Sequence, residues 1–240
     1  MPSSFLTTIP SLEMWHLRLG HLGLDSLKKV LPATAFSNEE QSDLAIRNCL
    51  TCIRAKHQRS YNRKPVEKTT KPFHLVHSDL CGPLALSHSA YRYFILYIDD
   101  FSRSTWVYFL RSKKAEEVVA VFQEFQAMVD TKYSEYTIRR FRCDNGRGEY
   151  DNGFFRGILR VRGISFEPSP PYTQHKNGVS ERMIRTISTK ARSLLLDSRL
   201  EDIFWAEAVN TAKYLHSRSP SASLHGRTPY EVLNGRKPEL

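Results

Sequence analysis

Two rhythms of apolar and polar positions divide the chain. Between residues 12 and 31 leucines and a tryptophan recur every three or four places; from Phe73 onward apolar residues come in short dense runs. The first rhythm predicts helices. Leu12, Trp15 and Leu19 share one side of a helix over 12–19, which Gly20 ends. A second helix begins at Asp25 or Ser26, either of which can cap it, carries Leu27, Val30 and Leu31, and stops at Pro32. The second rhythm predicts strands over 73–80, 91–99 and 104–110, rich in branched and aromatic residues. A helix over 114–129 turns Ala115, Val118, Val119, Phe122, Phe125 and Val129 inward. A fourth strand, 137–143, ends at the turn signal Asp144-Asn-Gly. A helix over 151–161 and a short strand over 164–166 lead to the proline-rich Pro168-Ser-Pro-Pro171. Next comes a helix opening near Asn177, with Val179, Met183, Ile187, Ala191 and Leu194 on one face. The last helix, 201–216, turns Trp205, Ala208, Val209, Ala212 and Leu215 inward. Three early strands followed by alternating helix and strand indicate an α/β class, a mixed sheet with helices on both faces. No internal repeat or low-complexity tract interrupts it.

Charge narrows the partners. The net charge of +10 over 240 residues favours a polyanion, nucleic acid before a membrane surface. No apolar run approaches the ~18 residues of a spanning helix, and the longest, 93–98, fits a buried strand. The N-terminus lacks the basic-then-apolar pattern of a signal peptide, so an intracellular protein with reduced cysteines is expected. Residues 58–72 read as a basic linker: Arg59, Arg63, Lys64, Lys68 and Lys71 face one acid, Glu67, with Pro65 and Pro72 among them. It divides the chain into a small unit, 1–57, and a larger one, 73–240.

Candidate chemistry appears in both units. His16 and His21 bracket Gly20, and Cys49 and Cys52 follow after 27 intervening residues. The pattern H-x4-H-x27-C-x2-C holds four ligands of the types that bind structural zinc. Residues five apart on an unbroken helix point away from each other at ~100° per residue, so the imidazoles converge only if the chain turns at Gly20. In the larger unit, Asp79 stands at a strand end. Asp144 stands at the end of a later strand, with 64 residues between, and Glu181 stands in the first turns of a helix, 36 intervening residues further on. Clustered carboxylates repel and commonly share divalent cations; all-oxygen ligation suits Mg²⁺ or Mn²⁺. Spacing alone favours a solvated surface group for each acid, since most Asp and Glu are that. Beyond Glu181 run Arg182, Arg185, Lys190 and Arg192, either a solvated face or a set of phosphate contacts.

The ordered series His16-Leu-Arg-Leu-Gly-His21, Cys49-x-x-Cys52, His77-Ser-Asp79-Leu-Cys-Gly-Pro83, Asp144-Asn-Gly and Asn177-Gly-Val-Ser-Glu181-Arg resembles the integrase region of copia-type (Pseudoviridae) retrotransposon polyproteins. The match runs from about residue 11 to the end, where Thr228-Pro-Tyr-Glu-Val-Leu233 looks like the usual close of the catalytic core. The resemblance implies a zinc-binding pre-integrase domain (1–57), the linker (58–72) and a catalytic core of RNase H-like fold (73–240). It implies that Asp79, Asp144 and Glu181 form a D-D-E triad holding two Mg²⁺ or Mn²⁺ ions, expected about 3.5–4 Å apart in two-metal sites. It also implies one zinc on His16, His21, Cys49 and Cys52. Two local departures stand out. The loop Tyr172-Thr-Gln-His-Lys-Asn177 lacks the Pro-Gln pair common before Asn-Gly, and the segment Asp144–Tyr150 is one residue longer than usual. The chain also lacks the family's protease, reverse transcriptase, RNase H and long C-terminal tail, so it reads as a fragment.

The function implied is phosphoryl transfer on DNA: 3′-end trimming and strand transfer during integration. Arg182, Arg185, Lys190 and Arg192 would contact phosphates. His175 and Lys176 would lie near the DNA end, and Asn177 would cap its helix as much as touch substrate. The partners expected are retroelement ends and target DNA, with RNA as a further possibility, and a homo-oligomer. The expected places are a cytoplasmic particle and then the nucleus. Two rival readings stand beside this one: a non-catalytic nucleic-acid-binding remnant of an integrase, and an RNase H-type nuclease acting on hybrids.

Overall fold

The computed structural model describes residues 9–32, 39–55, 69–144, 150, 153–168 and 178–239. Four short helices come first: α1 (Leu12–Arg18), α2 (Leu24–Val30), α3 (Glu39–Arg47) and α4 (Leu50–Ala55). Strands β1 (Leu75–Cys81), β2 (Tyr93–Asp99) and β3 (Thr105–Leu110) follow. Helix α5 (Ala115–Lys132), β4 (Arg140–Cys143), α6 (Gly153–Val161) and β5 (Ser165–Pro168) come next. Helices α7 (Gly178–Ser198), α8 (Trp205–Ser217) and α9 (Pro229–Asn234) close the described chain.

The sheet order is β3-β2-β1-β4-β5. β1, β2 and β3 pair antiparallel, β2 and β3 through a short turn, whereas β4 and β5 run parallel to β1. Parallel pairing needs a crossover, and α5 and α6 supply it. Alternation along the strands then sorts the two faces. Val76, Ile95, Tyr97, Phe141 and Cys143 point to one face and pack with Val118, Phe122 and Phe125 of α5 and Phe155 and Leu159 of α6. Phe94, Leu96 and Ile98 point to the other and meet Met183, Ile187 and Ala191 of α7 and Trp205, Val209 and Ala212 of α8. The inward faces predicted for α5, α7 and α8 are the buried ones, with Val179, Leu194 and Leu215 partly buried at their margins.

The N-terminal unit has a core of Leu12, Leu22, Leu27, Leu31 and Ile46. α1 is capped by Ser11, whose hydroxyl accepts from the Met14 N–H at 3.1 Å. α2 departs from expectation. Its N-cap is Gly23, with no side-chain cap bond, so Asp25 and Ser26 lie inside the first turn. There Asp25 serves the positive end of the helix rather than a cap. The unit rests on the larger one, with α4 against α7. Gly20, at φ +65°, comes so near α8 that an added Cβ would stand 2.8 Å from Leu215 Cδ1. Most of the predicted linker lies outside the described residues. Its end does not: Asp100 Oδ2 accepts from the Thr69 N–H at 2.8 Å and from its hydroxyl at 3.2 Å.

Candidate active site and metal centre

Register brings the first two acids together. β1 and β4 pair in parallel as Val76 with Phe141, His77 with Arg142 and Ser78 with Cys143. One step further sets Asp79 beside Asp144, both on the face covered by α7 and α8. Asp79 is half-buried, and Asp144 is exposed just past the end of β4. Glu181, half-buried in the first turn of α7, stands over the same face. Burial pushes the Asp79 carboxyl up to about 7; the Leu80 N–H, 2.9 Å from its Oδ1, works the other way, and the negative charges of Asp144 and Glu181 raise it further. Asp79 thus feels both of the other acids. A carboxyl raised by burial and like charge is what a divalent cation would neutralise. Cys81, on the same face, is pushed up to about 11 by burial and by Asp79, so its thiol stays protonated.

Two buried groups that the sequence did not reveal hold this end of β1. The Ser78 and Tyr150 hydroxyls lie 2.7 Å apart in a hydrogen bond. The bond holds Tyr150 against the strand that carries Asp79. On the acid-bearing face His77 Nε2 meets Asp100 Oδ1 at 2.9 Å, and Arg103 Nη1 reaches the same oxygen at 3.0 Å. Burial alone would raise the Asp100 carboxyl, yet His77, Arg103 and the Thr69 N–H outweigh it and hold it well below the usual carboxylate range. The signal available in the sequence is the Asp99-Asp100 pair between two strands. Asp99 turns back too, accepting from the Phe73 N–H at 2.7 Å and from the Ser102 N–H at 2.8 Å.

The basic residues divide. Arg185 and Arg192 follow Glu181 at i+4 and i+11 along one stripe of α7, and Arg182 is its neighbour; all three are exposed. Lys190 does not join them. It is half-buried, and its Nζ donates to Ser219 Oγ at 3.1 Å across the α7–α8 contact. His175, Lys176 and Asn177 lie outside the described residues.

The zinc-type ligands converge. α1 ends at the left-handed pair Gly20 and His21, at φ +65° and +60°, and the turn swings the second imidazole back over the first. His16 Nε2 and His21 Nδ1 are 3.1 Å apart. Cys52 Sγ lies 3.5 Å from His16 Nε2 and 3.7 Å from His21 Nδ1, and Cys49 Sγ lies 3.5 Å from His21 Nδ1. All four ligand atoms fall within 4.8 Å of one another, and among the described residues this is the one such group. Bond lengths near 2.05 Å to nitrogen and 2.3 Å to sulfur put tetrahedral ligand edges at roughly 3.3 Å for N–N and 3.6 Å for N–S. The four separations from the imidazole nitrogens, 3.1–3.7 Å, match that frame. His16 Nδ1 donates to the Leu22 carbonyl at 2.8 Å, which fixes the tautomer and leaves Nε2 as the ligand. The cluster fits a zinc-binding domain.

Residues 3–57 match the model of the GAG-pre-integrase domain. The chain is 38% identical over 212 residues to the Retrovirus-related Pol polyprotein from transposon TNT 1-94 of Nicotiana tabacum, a match covering 88% of this chain and 16% of that polyprotein. It is 31% identical over 207 residues to the corresponding polyprotein from transposon RE1 of Arabidopsis thaliana, covering 86% and 14%. These matches support a copia-type retrotransposon integrase. The chain spans about one sixth of the length of these relatives. The fold agrees with that family. A chain of the simian T-cell lymphotropic virus intasome in complex with PP2A regulatory subunit B56 gamma superposes with a TM-score of 0.61 at 16% identity, over 96% of this chain and 75% of that one. The HTLV-2 integrase catalytic core domain in complex with magnesium, in trimeric form, gives 0.51 at 17% identity, over 68% and 97%. The mixed five-stranded sheet of this chain is the RNase H-like sheet that the motifs implied. No described helix is long and apolar enough to cross a membrane.

Proposed function

We propose that this chain performs divalent-metal-dependent phosphoryl transfer on DNA, trimming 3′ ends and joining them to a second duplex. The observation that carries the reading is the β1–β4 register, which aligns Asp79 with Asp144 beneath Glu181. The repulsion that Asp144 and Glu181 exert on Asp79 adds to it. Asp79, Asp144 and Glu181 would hold the divalent cations, Mg²⁺ or Mn²⁺, which when bound supply charge neutralisation and a polarised phosphate. The protein's own part is placement. Asp79 is set by β1 and its ties to Tyr150 and Asp100, and Asp144 by the parallel register. Glu181 is set by the packing of Met183 and Ile187 against the sheet. Arg182, Arg185 and Arg192 would take backbone phosphates of the reacting DNA along the outer stripe of α7. No covalent protein intermediate is needed; water or a DNA 3′-hydroxyl is the nucleophile.

His16, His21, Cys49 and Cys52 would hold a single structural zinc, four protein ligands leaving no open position. The chain would act as a homo-oligomer on DNA, in the nucleus after a cytoplasmic particle stage; RNA is no part of the proposal. The test is Asp144→Asn in a Mn²⁺-supported joining assay with oligonucleotide ends. The parent is expected to join and the variant to lose joining by a factor of at least a hundred. A variant that joins as well as the parent rejects the triad. A folded parent that binds DNA in a salt-sensitive manner yet neither trims nor joins is the non-catalytic remnant instead.

A further inference from the structure

A row of polar side chains crosses the sheet one pleat below Asp79 and Asp144. Register sets His77 against Arg142 and Arg142 against Glu167, so β1, β4 and β5 contribute one residue each. Alternation puts all three on the face that carries the acids, since Arg142 precedes Asp144 by two places as His77 precedes Asp79. Within the row Glu167 takes the arginines. Its Oε2 accepts from Arg142 Nη2 at 2.6 Å and from Arg142 Nε at 3.1 Å, and its Oε1 accepts from Arg140 Nη1 at 3.3 Å. The Arg142 side chain is 16% exposed and that of Glu167 31%, so the forked contact is largely sheltered from water.

The place of Arg142 gives this contact its meaning. Two strand residues on one face lie about 7 Å apart at Cα, within the span of an arginine side chain, so a released Arg142 can turn onto the Asp144 carboxylate. A guanidinium is always charged and grips carboxylates with donors in a fixed fork. Seated on Asp144, it would compete with a divalent cation for the same oxygens. Glu167 draws it sideways instead, toward the edge strand β5. Arg140, four places before Asp144, starts about 13 Å away along the strand and does not reach it.

Resting on the phosphoryl-transfer reading above, we propose that Glu167 is a positioning residue for the acid set: it holds the Arg142 guanidinium off Asp144 and so leaves the divalent cation no guanidinium to displace there.

The test titrates Mn²⁺ alone into the full zinc-loaded chain without DNA, reads the free ion by electron paramagnetic resonance and takes a melting curve of each protein. Asp144→Asn marks the Mn²⁺ binding that belongs to the acids. Glu167→Gln should bind that Mn²⁺ about fivefold more weakly, the upper end for an exposed ion pair that must first be broken. Glu167→Gln/Arg142→Gln should return to within about twofold of the parent, and Glu167→Gln/Arg140→Gln should not, because only the first removes a partner in reach. A contact that merely braces β5 would lower the melting temperature of Glu167→Gln and leave its Mn²⁺ affinity alone, and that result overturns the proposal. Equal recovery by the two double variants also overturns it, since net charge and not contact would then be at work. Arg142→Gln alone should bind within about twofold of the parent, and it decides the matter if Glu167→Gln does not fold: a change of about fivefold in either direction overturns the proposal. A parent whose Mn²⁺ binding is untouched by Asp144→Asn sinks the triad and this proposal with it. Binding lost in Asp144→Asn yet kept in Glu167→Gln sinks this proposal alone.

Discussion

Asp79→Asn is expected to make the divalent-free protein more stable above neutral pH, although it removes a proposed metal ligand. The Asp79 carboxyl is raised from 3.8 to about 7, first by burial and then by Asp144 and Glu181. The native protein therefore keeps a proton that the unfolded chain releases near pH 3.9. Native stability falls as pH rises from there to about 7 and levels off above, since the native state binds more protons than the unfolded one in that window. The shift corresponds to about 4 kcal/mol at 1.36 kcal/mol per pH unit. Solvent reaching this partly open site should reduce it to roughly 1–3 kcal/mol. Asparagine is nearly the same size, keeps an oxygen for the Leu80 N–H and carries no charge. The assay is urea unfolding of the zinc-loaded parent and variant between pH 4 and 8.5, without and then with 10 mM Mg²⁺. Without Mg²⁺ the two should converge near pH 4 and separate as pH rises, the variant being the more stable. With Mg²⁺ the parent should gain stability by mass action, about 2.7 kcal/mol at a hundred times its dissociation constant. The variant should gain little. Parallel pH profiles, or equal gains from Mg²⁺, would refute an Asp79 carboxyl that is raised by burial and by its two neighbouring acids and that binds divalent cations.

The other predictions concern the frame. Gly20→Ala should destabilise the protein by about 1–2 kcal/mol through its left-handed backbone alone, and by more because the new Cβ meets Leu215 Cδ1 at 2.8 Å. Adding Leu215→Ala should recover part of that loss in thermal melts. Cys52→Ser should lower bound zinc from about one atom per chain to near zero by elemental analysis. It should also cost helical circular dichroism signal from α1–α4 while the sheet core keeps a cooperative melt. Asp100→Asn should cost about 3–5 kcal/mol at pH 7, because it leaves Arg103 and His77 without their buried carboxylate. Asp100 is held below its ordinary value, so its contribution is complete above about pH 4 and lost as pH falls through the folded value. The gap between parent and variant in urea unfolding should therefore narrow below pH 4.

Legibility in the sequence followed burial. The strands and α5, α7 and α8 showed plainly, because each presents a repeating apolar face to a large core. α3 did not: in Glu-Glu-Gln-Ser-Asp-Leu-Ala-Ile-Arg only Ile46 reaches the core of its unit, so no period marks it. α2 starts earlier than its polar residues suggested, since Gly23 and not a side chain makes the cap. For the zinc-type cluster, residue types and the need for a turn at Gly20 were readable, and the left-handed pair Gly20–His21 meets that need. For the acids, the neighbourhood of Asp79 and Asp144 is a product of parallel pairing across a crossover. Spacing along the chain carries no trace of that. The same holds for Asp100, whose partners Thr69 and His77 lie 31 and 23 positions away. Lys190 read like the arginines around it, and only the α7–α8 packing separates it from them.

The central claim is that Glu181, carried in by α7, completes a metal-binding acid set with Asp79 and Asp144. The most direct measurement is single-turnover joining of a pre-trimmed, labelled donor end in Mn²⁺ by the parent and by Glu181→Gln, with DNA binding and zinc content measured on the same preparations. The account predicts joined product from the parent and a loss of at least a hundredfold from the variant, at unchanged DNA affinity and zinc content. Joined product from Glu181→Gln at the parent's rate would contradict it.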